Sequence, residues 1–347
     1  MDKSLNCLNK IIPNEIQVLN RRYEVLKAIE SSQPIGRRQL ATTLNNTEKI
    51  IRNEVEFLKE LDYIQVSTSG MTITEEGKNI LAEVEMVIRN LRGLYSLEDI
   101  IKKILKCDKV VIVSGDIAHN ISVRENIGKA AAKVLLNKIG NNSIIAVAGG
   151  STVYHVVHSI KTNKKYPEVL VLPARGSLRN NVEYQANSLT AKLATKLEAN
   201  YELLNIPDNL SRKSLESVRK EPDIQKTINK ILKSNIILCG IGNANEMVVR
   251  RNLADTVIEF LNRKEAVAEA LGYYLNKDGE IVYTSRSIGI KLEQMTKTAY
   301  PIAVAAGKSK AQAIIAFSKF INNGCFIMDE GAAKEIINLT DNNNLVL

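Results

Sequence analysis

The sequence predicts an α/β protein in two parts. An N-terminal winged helix-turn-helix domain with a connector helix spans residues 1–92, and a doubly wound, mostly parallel, Rossmann-like domain spans residues 93–347. Three observations predict this. Residues 14–61 carry three helical patterns, and an alternating hairpin pattern follows them. From Lys109 onward, short apolar runs alternate with helical stretches. Several of those runs end in glycines, hydroxyls or cations, where an open parallel sheet binds its ligands.

The elements follow in order. Ile16, Leu19, Tyr23, Leu26 and Ile29 recur at helical spacing, and Pro34 stops that helix. A second helix starts at Arg37 and runs to Leu44; Asn45 and Asn46 turn the chain. Thr47 is an N-cap for a third helix, Glu48 to Leu61, with Ile51, Val55 and Leu58 on one face. "YIQVSTSGMTIT" alternates about Ser69-Gly70, which predicts a hairpin. Residues 75–107 are helical, with a break near Gly93. Strands are expected at Val110–Val113, Ile144–Val147, Val169–Leu172, Tyr201–Leu204, Ile236–Cys239, Ile302–Ala305 and Phe326–Met328.

Composition is that of an ordinary globular chain, with 45% hydrophobic and 24% charged residues. No apolar run approaches a membrane span, and "MDKSLNCLNK" lacks the apolar stretch of a signal peptide, so the expected location is the cytoplasm. Cys7, Cys107, Cys239 and Cys325 form no CxxC pair and are expected to be reduced packing residues. The net charge is +9. Acids and bases nearly balance in residues 1–90, so the positive excess lies in the larger C-terminal part. That fits a site for an anionic small molecule as well as it fits nucleic acid.

A helix-turn-helix presents the start of its second helix to base edges. Here that surface carries Thr47, Glu48, Lys49, Arg52 and Asn53, because the apolar residues of the same helix face inward. Arg reads guanine and Asn reads adenine with paired hydrogen bonds. Arg37 and Arg38 are placed to meet phosphates. A winged helix that binds protein is the alternative.

Four predicted strand ends favour anions. The first is Gly149-Gly150-Ser151-Thr152, where glycines admit close approach and a helix start offers N–H groups. The second is "PARGSL" with Arg175, the third "CGIGNANEMVVRR" with Arg250 and Arg251, and the fourth "AAGKSKAQAI" with Lys308 and Lys310. GxGxxG is absent after the first strand and no P-loop occurs, so this is not a nucleotide fold in the usual sense, ATP binding is rejected and no cofactor is expected. His155 and His158 are spaced to share a metal, but no third ligand of matching character is near. Asp116, Glu246 and Glu269 are possible acids or bases, and no pair of them stands out. Glu269, in "AVAEALGYYL", is either a helix-surface carboxylate or an acceptor for sugar hydroxyls.

The segments "QPIGRRQL", "EVEFLKE", "GMTITEEG", "AVAGGSTV", "VLPARGS", "ILCGIGNA" and "DEGAAKEI" run in order along nearly the whole chain. With them the sequence resembles the SorC family of bacterial transcriptional repressors that respond to sugar phosphates. The resemblance implies a DNA-binding domain joined to an effector domain similar to ribose-5-phosphate isomerase and glucosamine-6-phosphate deaminase, but without catalysis. It implies a repressor of glycolytic genes acting on operator DNA, and symmetric half-sites favour a homo-oligomer, dimer or tetramer, since one helix per monomer gives limited specificity. It implies fructose-1,6-bisphosphate as effector, with contacts at Ser151, Thr152, Arg175, Gln185, Arg250, Glu269 and Lys310, beside Gly149 and Gly150. Ser151 stands where the motif often has Thr, which keeps the hydroxyl. The alternative is a sugar-phosphate isomerase- or deaminase-like enzyme fused to a helix-turn-helix.

Overall fold

A computed structural model describes residues 10–120, 122–176, 181–206, 210–295 and 299–344. Cys7 and the Ser177–Leu178 end of "PARGSL" lie outside them. The chain divides between Leu97 and Glu98 into two units.

The first unit holds helices Pro13–Ser32, Arg37–Thr43 and Glu48–Glu60, then strands β1 (Ile64–Ser67) and β2 (Gly70–Ile73), then helix Glu75–Leu91. This is the predicted winged helix-turn-helix. Tyr23, Leu26 and Ile29 of the first helix meet Leu40, Ile51, Val55 and Leu58 in one apolar core. The hairpin caps that core through Ile64, Met71 and Ile73, and Ile35 adds a bridge to Met71. Thr47 caps the third helix by accepting the Ile50 N–H, and Thr74 caps the fourth by accepting that of Gly77.

The strands of the second unit are, in chain order, β3 (Lys109–Val113), β4 (Ile144–Val147), β5 (Leu170–Pro173), β6 (Asn200–Tyr201), β7 (Ile236–Gly240), β8 (Gly242–Asn243), β9 (Ala266–Ala270), β10 (Tyr273–Asn276), β11 (Ile281–Thr284), β12 (Tyr300–Val304) and β13 (Cys325–Asp329). Seven of them form one sheet in the order β3-β13-β12-β7-β4-β5-β6, and every pairing in it is parallel. Ile145, Val147, Ile236, Leu238, Ile302, Val304 and Ile327 pack under helices Ser122–Lys138, Ser151–Ser159 and Ala186–Leu197. Their neighbours Ala146, Ile237, Cys239, Ala303 and Met328 point the other way and are equally buried, so both faces are covered.

Two expectations need correction. The predicted strand Tyr201–Leu204 ends at Tyr201, because the Asn187 side chain bonds both the N–H and the carbonyl of Leu204. The second correction is larger. Residues 242–284 add a four-stranded antiparallel sheet, β11-β10-β9-β8, that the alanine-rich "AVAEAL" does not announce. Its central hairpin turns on Leu271 and Gly272, both at positive φ. Glu269 therefore lies on a strand and is buried, which removes the helix-surface reading.

Candidate functional site

Strand order reverses between β4 and β7. The chain leaves β4 towards β5 and β6 on one side, and leaves β7 towards β12 and β13 on the other. Ligands of such sheets sit in the crevice at the C-terminal ends of the two strands. The loops there are Ala148–Ser151 and Gly240–Asn243, so the glycine-hydroxyl motif stands at the crevice.

Its geometry suits an anion. Gly150, at φ +126°, turns the chain into helix Ser151–Ser159, which has no side-chain cap. The first amides of that helix are left as donors at its positive end. Gly150 N–H itself donates to the Tyr184 carbonyl at 2.8 Å. Gly149 presses on the same carbonyl, so a Cβ there would lie 2.7 Å from it. Gln185 follows Tyr184 directly and starts helix Ala186–Leu197.

Gly240–Asn243 joins three groups of predicted residues. A Cβ on Gly240 would lie 3.9 Å from that of Thr152. Gly242 pairs with Glu269 across the small sheet. Asn243 donates its amide to the Ser309 carbonyl at 3.2 Å. Glycines and a short Asn let these three segments approach one another, and this is the organising role of the "GIGN" stretch.

The second group is a buried charge triad. The Glu269 carboxylate accepts from Arg251 at 2.7 Å and from the Gly272 N–H at 2.7 Å, with Arg175 3.7 Å away. The three side chains are 4%, 7% and 6% exposed respectively, so their charges are held in low dielectric. Gly272 is required here, since a Cβ would fall 2.4 Å from the Arg175 guanidinium. The Glu269 charge reaches its neighbours. Burial first, and then Glu269, push the Cys239 thiol up to about 12 and raise the Tyr274 phenol. Tyr274 and Ser285 also carry buried hydroxyls with no hydrogen-bond partner among the described residues.

The third group is the Lys310 arm. The Lys310 ammonium meets Glu246 at 2.5 Å, and Arg250 approaches the same oxygen at 4.0 Å. Arg250 is exposed, whereas its neighbour Arg251 supplies the buried cation beside Glu269. Of the two adjacent arginines, burial separates their jobs, and the sequence alone does not.

Two further acids build the frame. Asp329 ends β13, between β12 and β3, and its fully buried carboxylate accepts the N–H groups of Ile117, Gly307 and Ala332. Glu330 accepts the Gly115 N–H at 2.9 Å and pairs with Lys334. The Asp of "DEGAAKEI" thus holds the start of the loop that carries Lys310, and the Glu holds the loop that follows β3. His155 and His158 are on one helix as expected, but His158 stacks on Tyr154 and its Nδ1 is 2.9 Å from the Tyr154 carbonyl.

In the first unit, Arg37, Arg38, Lys49, Arg52 and Asn53 are all exposed. Arg52 lies along its helix on Glu56 at 2.9 Å, and Arg38 faces Glu48 at 3.4 Å. Glu54, on the inner side of the same helix, is buried between Arg21 at 2.7 Å and Arg22 at 3.0 Å. This clamp ties the candidate recognition helix to the first helix, and sequence reasoning missed it. The signal available was a charged residue on an apolar helix face.

Residues 18–88 match the family model described as "CggR N-terminal DNA binding domain", and residues 89–338 match "Putative sugar-binding domain". A SorC family transcriptional regulator from Enterococcus faecalis is 34% identical with a TM-score of 0.64, over 70% of this chain and 99% of that one. The chain belongs to the SorC family. Two further relatives carry the name Central glycolytic genes regulator. That of Priestia megaterium is 40% identical over 94% of this chain and 96% of its own. That of Bacillus subtilis is 36% identical over 97% and 99%. This SorC-family chain is a DNA-binding transcriptional regulator and not an enzyme, which decides against the fused isomerase or deaminase. No helix among its described residues is long and apolar enough to cross a membrane.

Proposed function

We propose that this chain is a cytoplasmic repressor of glycolytic genes that leaves its operator on binding fructose-1,6-bisphosphate. The observation that carries the reading is the convergence on Gly240–Asn243. An uncapped helix start lies on one side of it, and the Lys310–Arg250 pair on another. A bisphosphate brings roughly −1.5 to −2 charge at each end and needs two such poles. Ser151, Thr152 and the amides after Gly150 hold one phosphate. Lys310 and Arg250 hold the other. Gln185 accepts from or donates to sugar hydroxyls, Glu269 accepts from them, and Arg175 with Arg251 holds the Glu269 carboxylate in place. Exposed Lys49, Arg52 and Asn53 read bases, while Arg37 and Arg38 hold phosphates. One short recognition helix gives limited specificity, so the operator is held by an oligomer with symmetric half-sites.

The test is operator binding at fixed salt with a panel of sugar phosphates, together with calorimetry. Fructose-1,6-bisphosphate is expected to bind at least tenfold tighter than fructose-6-phosphate, because charge-assisted hydrogen bonds contribute about 1.5–3 kcal/mol each. Thr152→Val weakens both sugars, and Lys310→Ala weakens the bisphosphate alone. Equal affinity for the two sugars refutes the two-pole site.

A further inference from the structure

We propose that Glu246 is a built-in counter-anion of the Lys310–Arg250 pole, and that it makes this pole selective for a phosphate over singly charged anions. The inference rests on the two-pole reading above and names the residue that tunes one pole.

Three groups that suit a phosphate converge on the Glu246 carboxylate. Lys310 Nζ lies 2.5 Å from Oε2, Arg250 Nη2 lies 4.0 Å from the same oxygen, and Ser309 Oγ lies 3.5 Å from Oε1. They come from two segments, held in register by the Asn243 bond to the Ser309 carbonyl. The Lys310 side chain is 15% exposed, so it is poorly solvated and needs an anion. Glu246 supplies one when no ligand is present. At 40% exposure the carboxylate can swing into water when displaced, so the exchange asks for no rearrangement of the core.

Charge then sets a threshold. An incoming carboxylate only replaces one single charge by another and gains little. A phosphate monoester brings more charge and three acceptor oxygens, which engage Lys310, Arg250 and Ser309 together. Selectivity arises from the competitor as much as from the attraction. The same argument gives a sign opposite to that of a contact residue: neutralising Glu246 strengthens binding.

Calorimetry of the full chain and its Glu246→Gln variant tests this, with fructose-1,6-bisphosphate, fructose-6-phosphate, inorganic phosphate and acetate as probes. The bisphosphate is expected to bind roughly two- to fivefold tighter to the variant, the size of one partly exposed ion pair. Fructose-6-phosphate, held at the other pole, changes little. Acetate competes with the bisphosphate in the variant and not in the wild type. The gain disappears when Lys310→Gln is added. Unchanged or weaker bisphosphate binding overturns the proposal, since a residue that contacts sugar or merely supports the loop loses affinity on substitution. If the wild type does not prefer the bisphosphate, the two-pole reading fails by itself. Inorganic phosphate then decides Glu246: tighter binding to the variant upholds its role, and equal or weaker binding rejects it.

Discussion

Both units hold a carboxylate between two arginines, and the two arrangements differ in burial. Glu54, 8% exposed in its side chain, meets Arg21 and Arg22, which are 36% and 34% exposed. Glu269 meets Arg175 and Arg251, which are as buried as it is. In the first case water still screens the cations, and Arg22 also lies over the Phe57 ring at 3.4 Å. That pair of bridges is a staple between two helices. In the second case neither cation can turn to solvent if the carboxylate is lost. The same three charges act as a surface clamp in one unit and as a fixed electrostatic element of the candidate binding site in the other.

The sharpest way to break this comparison is to remove both carboxylates in turn. Glu269→Ala takes the shared carboxylate away from two buried guanidinium groups and is expected to cost about 3–5 kcal/mol of stability. Denaturant unfolding of the variant measures it. A loss no greater than that of Glu54→Ala rejects the distinction.

A second test asks whether the exposed charges of the first unit are as replaceable as their solvation suggests. Arg52 must leave Glu56 to reach a base. Arg52→Ala is expected to weaken specific operator binding roughly ten- to a hundredfold and to relax one operator position. Arg37→Ala weakens all DNA sequences more evenly and lowers the salt dependence. Equal losses on operator and random DNA for Arg52→Ala argue against base reading.

Glu54→Ala sharpens the comparison from the other side. Two half-exposed arginines regain water, so the loss is expected to be about 1–2 kcal/mol, less than at a buried pair. Operator affinity falls with it, because the clamp orients the recognition helix. Circular dichroism melts and DNA binding at one salt concentration check both parts.

The two units also differ in how far the sequence disclosed them. In the first, Ile51, Val55 and Leu58 mark the inner face of one helix, so Lys49, Arg52 and Asn53 are exposed by elimination. Periodicity is local and reads directly. In the second, the seven parallel strands are legible as apolar runs, and so are the glycines that end β4. The small antiparallel sheet is not. Its strands are short, β9 is alanine-rich, and the turn that joins β9 to β10 puts Leu271 at positive φ. Nor does any local pattern reveal that Arg251 rather than Arg250 meets Glu269, or that Glu246 shares its oxygen between Lys310 and Arg250. Those facts depend on Arg251 meeting Glu269 18 positions away and on Lys310 meeting Glu246 64 positions away.

The smallest expected effect concerns a carboxylate held by a backbone N–H, a lysine and a serine rather than by arginines. Glu330 accepts the Gly115 N–H, receives Lys334 at 2.9 Å and lies 3.3 Å from the Ser114 hydroxyl. Burial pushes its carboxyl up, but the Gly115 bond, Lys334 and Ser114 together outweigh it and leave the group below the usual glutamate value. A carboxyl with a lowered folded-state pKa binds its proton more readily in the unfolded chain. Its contribution is therefore complete above the unfolded value of about 4.3 and fades as the pH falls through the lower folded value. Glu330→Gln removes that dependence. The stability gap between wild type and variant should be widest near pH 6 and narrow steadily towards pH 3, with a shallower acid limb in the variant. Urea midpoints across that range measure it. A gap that stays constant with pH means that Glu330 acts by shape alone, and that the clamp on Ser114 and Gly115 does not depend on its charge.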